Sequence, residues 1–177
     1  MAYTYSKIAT YTVGSGGVPS VSFLNIPQNY TDLVLKGSVR NSGVTGILYF
    51  RVNNSTSSYS ARNVNGNGTA ANSATASVTD YLDFNAGNSG LTNYSGSTAN
   101  TFSNLEMYIP NYTSSNYKSF SLDSVLENNA TFGLMPLGAG LWSNTSPITS
   151  ISIHGFNSSD SINQYSTFHL YGIKAEV

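Results

Sequence analysis

Apolar and polar residues alternate along most of this chain with a period of two, and helical periodicity is scarce. A period of two places successive side chains on opposite faces of a strand, so the pattern predicts strands that each bury one face. The candidate strands span 3–13, 18–26, 32–40, 47–53, 73–84, 101–109, 119–127, 131–142, 148–156 and 164–177. About ten strands with short polar connections are typical of a two-sheet sandwich. We therefore predict an all-β fold, an antiparallel β-sandwich of the jelly-roll-like kind.

The last candidate strand is expected to lie inside a sheet. Over residues 164–175, Phe168 and Leu170 alternate with His169 and Tyr171, so both faces of the strand carry bulky groups. A strand that hangs free of the sheet would leave those groups in water. The pattern thus predicts that this strand belongs to a sheet.

Two segments, 53–72 and 87–100, interrupt the alternation with runs of Asn, Ser, Thr and Gly. Bulky apolar residues are nearly absent from both, as in exposed loops. The strands that flank them would have to pair across them, so neither segment marks a domain boundary. We predict that residues 1–177 form a single β-sandwich domain with long polar loops near 53–72 and 87–100.

Charged residues make up only 8% of the 177 residues, and the formal net charge is −1. The seven Lys and Arg residues do not cluster, so we expect no nucleic-acid partner. No run approaches the roughly 20 apolar residues of a membrane helix, and the start has no signal-like apolar segment. We therefore expect no membrane partner and synthesis in the cytoplasm without a signal peptide. The lack of cysteine excludes disulfides and thiolate chemistry.

Few residues could carry catalysis or hold a metal ion. One could draw a site from the two histidines and scattered carboxylates, namely His154, His169, Asp80, Asp83, Asp123 and Glu127. No HExxH, DxDxDG or GxSxG pattern accompanies them, so we interpret the histidines as hydrogen-bonded strand residues and the aspartates as a solvated edge. The sequence predicts no catalytic, cofactor or metal site and no enzyme activity.

Tyrosine is the most promising contact residue, because the chain has 13 of them and the side chain is large, amphipathic and inexpensive to immobilise. Most lie in candidate strands, where packing is the simpler interpretation. Tyr59, Tyr94 and Tyr112 stand in polar stretches instead. These three are the predicted exposed contact residues.

Three segments carry a resemblance to known proteins: NIPQNYTDLVLKGSVR at 25–40, IPNYTSSNYKSF at 109–120 and QYSTFHLYGIK at 164–174. They resemble a family of small virion structural proteins of tailed bacteriophages, notably phages of aquatic cyanobacteria. The resemblance spans most of the chain, except residues 53–100. It implies a β-sandwich located on the virion, and it brings no catalytic motif.

Two functions from different classes remain at this stage. The first is a capsid decoration or cement protein outside the head, whose partners are the major capsid protein and copies of itself, with a trimer expected. The second is a tail fibre or receptor-binding adhesin module that joins tail components and recognises host surface polysaccharide. No heptads or repeats of a fibre shaft occur, which favours decoration. A polysaccharide depolymerase is a distant third, since no recognisable carboxylate pair is visible.

Overall fold

The computed structural model describes residues 3–76, 79–84, 90–130 and 133–175. These ranges contain strands, turns and irregular segments but no helix, and therefore none long and apolar enough to span a membrane. The strands are β1 (Tyr3–Thr12), β2 (Ser20–Phe23), β3 (Asp32–Val39), β4 (Leu48–Val52), β5 (Tyr59–Gly66), β6 (Ala71–Thr75), β7 (Ser103–Ile109), β8 (Lys118–Val125), β9 (Met135–Trp142), β10 (Ile151–Gly155) and β11 (Thr167–Ala175). The predicted all-β fold is confirmed.

The strands form two antiparallel sheets. The large sheet has eight strands in the order β1-β11-β3-β7-β8-β9-β5-β6, and the small sheet has three in the order β2-β10-β4. The chain passes from one sheet to the other at each step from β1 to β5, and again from β9 through β10 to β11. This repeated crossing gives the antiparallel sandwich its jelly-roll-like character.

The core lies between the sheets and takes the inward face of most strands, whereas β6 contributes no buried residue. In the large sheet Leu35, Met107 and Leu122 point inward from β3, β7 and β8, and in the small sheet Phe50 and Ile153 meet them. All five are less than 3% exposed. Burial of such side chains contributes about 1.5–3 kcal/mol each, so this shared core is the main source of stability.

The prediction for the C-terminal strand is confirmed. β11 pairs with β1 on one side and with β3 on the other, in antiparallel register. Phe168 and Leu170 are fully buried in the core, whereas His169 and Tyr171 lie on the outer face. The bulky side chains of β11 therefore alternate between the core and the outer face of the sheet, as the sequence pattern indicated.

The prediction of an exposed loop over 53–72 is wrong. That segment contains β5 and the start of β6, which are joined at Gly66–Ala71. β5 alternates strictly between buried and exposed positions, but Asn63 and Asn65 occupy two of the buried ones. Because these inward positions are polar, the sequence shows no alternation of apolar and polar residues here, although buried and exposed positions alternate in the structure.

The neighbouring prediction, a strand over 73–84, holds only for the first residues. β6 ends at Thr75, and residues 77 and 78 lie outside the described ranges. Further on, Leu82 forms only an isolated bridge with Phe50, and Leu82 and Phe84 are buried against β9. A Cβ atom at Gly138 would clash with the ring of Phe84, so the glycines of β9 make room for this segment.

The segment 87–100 is irregular, but its exposure was predicted wrongly in part. Residues 87–89 lie outside the described ranges, and Leu91, Thr92 and Asn93 are fully buried. Exposed positions are concentrated at 95–100. The amides of Leu91 and Thr92 donate to the Gly46 oxygen (3.0 and 3.1 Å), and the Asn93 oxygen accepts from the Asn41 amide (2.9 Å), so this part of the segment is held by the 41–46 stretch.

Candidate functional site

The neighbouring strands β1, β11, β3 and β7 share one end of the large sheet, where Thr12 pairs with Thr167, Thr167 with Ser38, and Ser38 with Asn104. The loops that leave β1 and β3 and those that enter β7 and β11 meet there. We call this region the open end. At the opposite end of the sandwich the chain enters β8 and leaves β7 and β9, and we call that region the closed end.

Arg40 organises the open end. Its guanidinium donates hydrogen bonds to the main-chain oxygens of Thr98 and Thr101 (both 2.9 Å) from one terminal nitrogen. The other terminal nitrogen donates to the oxygens of Tyr94 (2.8 Å) and Ser97 (3.1 Å). A planar guanidinium has five N–H donors in a fixed geometry, compared with three on a lysine ammonium, so it can bind four carbonyls at once. The side chain thus holds the 94–101 loop in place with main-chain oxygens as its partners.

A cleft of about 540 Å³ opens beside Arg40. Its lining combines two glycines, aromatic rings and short polar side chains: Gly16, Gly17, Arg40, Ser42, Ala99, Asn100, Phe102, Ser161, Asn163, Gln164 and Tyr165. Small-molecule sites commonly have roughly 300–1,000 Å³ and a few placed polar groups on a partly apolar wall. The cleft therefore has the size and composition of a ligand site.

Tyr165 is the most unusual residue of the cleft. It is 70% exposed, and its backbone has a φ of 72°, in the left-handed region that a bulky residue rarely adopts. The conformation is held by a hydrogen bond from the Tyr165 amide to the Val13 oxygen (3.0 Å) and by another from Ser166 to Asn163 (3.1 Å). Backbone strain of this kind is concentrated at ligand-binding sites.

The closed end also contains a cation, and this one is buried. Lys118 is 1% exposed, and its ammonium donates to the main-chain oxygens of Ser114 (2.8 Å), Asn116 (2.5 Å) and Thr145 (3.4 Å). Burial lowers the pKa of Lys118. Tyr112, in the connection between β7 and β8, is fully buried, and its main-chain oxygen accepts from the Ile148 amide (2.9 Å).

Two of the predicted exposed contact tyrosines are buried, and the prediction is wrong for them. Tyr59 is 2% exposed on β5; its hydroxyl donates to the Val52 oxygen (3.2 Å) and accepts from the Val52 amide (3.0 Å), which connects the two sheets. Tyr112 is fully buried and donates to the Pro27 oxygen. Burial raises the pKa of both hydroxyls. A polar sequence neighbourhood does not expose a tyrosine whose hydroxyl has a main-chain partner.

The third predicted contact residue, Tyr94, is half-buried in the loop that Arg40 holds. Its ring packs over Gly46 and Gly96, where an added Cβ would come within 3.1 Å and 2.7 Å of it. Its main-chain oxygen accepts from Arg40. Tyr94 therefore supports the loop beside the cleft and does not line the cleft itself.

The histidines and carboxylates considered in the sequence do not converge. His154 lies on the small sheet and accepts or donates a hydrogen bond with Ser152 (2.9 Å), while His169 lies on the large sheet and contacts Thr10 (3.0 Å). Asp80 pairs with Arg51 at 3.5 Å, and Glu127 accepts from the amides of two following residues. Within the described ranges, no three residues among His, Asp and Glu come close enough to hold a metal ion.

An aromatic cluster covers the outer face of the small sheet. Tyr49 stacks on His154 with ring centres 4.8 Å apart and packs against Tyr81 at 4.5 Å, and Arg51 lies over the Tyr49 ring at 5.1 Å. Burial, and secondarily the charge of Arg51, lower the pKa of His154. The ring faces of this cluster pack against one another and against Arg51, so they are already engaged in contacts within the protein.

The outer face of the large sheet changes character across its width. Lys36 and Glu106 form an ion pair of 2.7 Å, and Asp123 lies opposite Glu106 on the next strand. Burial and the neighbouring charge of Glu106 raise the pKa of Asp123. Beyond Asp123 the same face carries exposed aliphatic side chains.

This group, which we call the apolar strip, consists of Val64, Val125, Met135 and Leu137 on β5, β8 and β9. Leu137 pairs directly with Val64, and the Leu126–Leu134 bridge continues a register in which Val125 faces Met135. Their exposed fractions range from 43% for Val125 to 57% for Leu137. Contiguous exposed aliphatics on a rigid sheet indicate an interaction surface.

Sequence reasoning missed Arg40 and Tyr165. Arg40 was considered only as an isolated charge, and Tyr165 only as a strand residue. A usable signal for Tyr165 was its place after Asn163 and Gln164, where a polar pair precedes the strand and favours a turn. No local signal could show which carbonyls Arg40 would reach, because they lie 54–61 residues away in the chain.

Comparison with known proteins adds no family assignment: no family model, curated protein or solved structure matches this chain.

Proposed function

We propose that this protein is a structural component of a bacteriophage virion, most specifically a capsid decoration protein on the outside of the head. The apolar strip carries the proposal. It offers a flat, rigid docking surface for the major capsid protein or for copies of this chain, in addition to the resemblance of three segments to phage virion proteins. We further propose that the role is non-catalytic, since the histidines lie on different sheets.

The neighbouring sheet edge supports this proposal. β6 is the edge strand next to β5, and its residues Ala71–Thr75 include no charged side chain, proline or glycine. Edges without such protection tend to pair with another chain. The strip and the edge lie side by side, because Val64 pairs with Ser73 of β6. A neighbouring copy could cover both at once, and a closed trimer is the assembly we propose.

Immunogold electron microscopy of phage particles that carry the protein tests its location. We expect label over the head. Label confined to the tail would exclude decoration and leave the receptor-binding function.

A second experiment tests the docking surface. Particles assembled with the Val64→Asp/Leu137→Asp variant should carry at least tenfold fewer copies by quantitative mass spectrometry. Leu24, which is 69% exposed and lies outside the strip, provides the matched control, because Leu24→Asp should leave the copy number unchanged. If the strip variant is present on particles in the wild-type copy number and has an unchanged melting temperature, the apolar strip is not part of the interface.

The second candidate is a receptor-binding module of the tail, and one specific observation favours it. The cleft at the open end presents an exposed, strained Tyr165 among amide and hydroxyl side chains. Exposed rigid aromatics with adaptable polar neighbours are typical of recognition surfaces. The location experiment separates the two candidates.

A further inference from the structure

We infer that the cleft at the open end binds a neutral saccharide, with Tyr165 as the aromatic platform. The inference rests on the geometry of the cleft, whether the protein lies on the head or on the tail, and it gives the recognition surface a place on the molecule and a class of ligand. It is independent of the apolar strip, since no residue is common to the two surfaces.

The first argument is the position of aromatic surface. Tyr165 is 70% exposed, and Phe102 lines the same cleft and is only partly covered. A sugar ring has an apolar face of C–H groups that packs on an aromatic ring, and a rigid ring loses little entropy on binding. The left-handed backbone sets the direction in which the Cα–Cβ bond of Tyr165 leaves the chain.

The second argument is the supply of uncommitted hydrogen-bonding groups. Within the described part of the chain, the side chains of Asn100, Asn163 and Gln164 have no hydrogen-bond partner. The Ser42 hydroxyl accepts from the Ser161 amide (2.8 Å), and its own proton is available for donation. Amides provide both donors and acceptors, as sugar hydroxyls require.

The third argument concerns charge. No Asp or Glu lines the cleft, and its one cation, Arg40, directs both terminal nitrogens to main-chain oxygens. An acidic sugar would need to displace those contacts to form a bidentate pair with the guanidinium. The arrangement therefore favours a neutral ligand, and binding should depend little on ionic strength.

An array of bacterial surface glycans, both neutral and acidic, tests the inference with the full chain. We expect binding to at least one neutral glycan, with affinity that is unchanged between low and 0.5 M salt. Tyr165→Gly should weaken that binding at least tenfold while the protein stays folded, because glycine accepts the same backbone conformation. Asn163→Ala provides a second variant that removes only a side-chain amide.

Tyr117 supplies the matched control, since it is 60% exposed but lies at the closed end. Tyr117→Ala should leave glycan binding unchanged. The inference would be overturned by the absence of neutral-glycan binding, by exclusive and salt-sensitive binding of acidic glycans, or by equal binding of the Tyr165→Gly variant. None of these results would change the copy number expected for the Val64→Asp/Leu137→Asp variant on phage particles. The glycan experiment can therefore contradict this inference without contradicting the proposed docking surface.

Discussion

At both the open and the closed end of this sandwich, a cation holds the loops through their main-chain oxygens. The two ends differ in whether the side chains around the cation are buried or exposed. Each has a cation without a carboxylate partner among the described residues, Arg40 at one end and Lys118 at the other. Each cation binds main-chain oxygens of loops that have no regular structure of their own. Charged donors form stronger hydrogen bonds than neutral ones, so one side chain can order a whole loop.

The difference lies in the side chains around the cations. At the closed end Tyr112 is fully buried and has its hydroxyl on the Pro27 oxygen. At the open end Tyr165 is exposed, and the side-chain amides of Asn163 and Gln164 have no hydrogen-bond partner within the described ranges. The comparison teaches that loop order alone does not make a site; the ordered loops must also present groups that the fold itself does not use.

The largest expected effect is a loss of stability on substitution of Tyr112 at the closed end. Tyr112→Ala should lower the free energy of unfolding by about 3–5 kcal/mol, because it removes a buried aromatic ring and leaves a cavity. Tyr165→Ala at the open end should change it by less than about 1 kcal/mol, since the ring is exposed. Urea denaturation of both variants measures the contrast. Equal losses would mean that Tyr165 is also part of the packed interior.

The next effect concerns the fork of Arg40. Arg40→Lys keeps the charge but cannot reach the oxygens of Tyr94, Ser97, Thr98 and Thr101 together, so we expect a loss of about 1–3 kcal/mol. Hydrogen exchange of the 94–101 amides should accelerate more than that of β8. Uniform acceleration throughout the protein would indicate that the arginine stabilises the fold without a special role in this loop.

A smaller effect of opposite sign is expected at Tyr165. Tyr165→Gly should raise the free energy of unfolding by about 1 kcal/mol, because glycine adopts a φ of 72° without the steric cost of a Cβ atom. Thermal unfolding measures the gain. A decrease in stability would show that the ring contributes packing that exceeds the backbone strain.

The sequence predicted much of the fold, because the periodicity of two survives wherever inward positions are aliphatic. β3, β7, β8 and β11 follow the expected ranges closely. β5 was missed because Asn63 and Asn65 take inward positions, and the Asn63 side chain donates to the oxygen of Phe84, 21 residues further along the chain (2.8 Å). A residue's own neighbourhood cannot reveal such partners.

The candidate site was less predictable for a related reason. Tyr59 and Tyr112 stand in polar sequence, yet each hydroxyl reaches a main-chain group of another segment and so the ring is buried. Tyr165 stands at the start of an apolar strand, yet a turn directs it outward. In each case exposure is decided by long-range contacts that the local pattern does not encode.

The smallest expected effect uses pH to distinguish the two cations. Burial sets the pKa of Lys118 in the folded protein below its value of about 10.4 in the unfolded chain. Between those two values the unfolded chain binds more protons, so stability from this group increases as pH rises and is lost as pH falls. The free energy of unfolding of wild type minus that of Lys118→Met should therefore increase as pH is raised from 8 towards 10.4.

The same difference taken for Arg40→Met should stay constant over this range, because arginine keeps its proton there. Tyrosine ionisation is common to all three proteins and cancels in these differences. Urea denaturation at several pH values measures both series, and parallel curves for the two cations would show that Lys118 retains its ordinary pKa despite its burial.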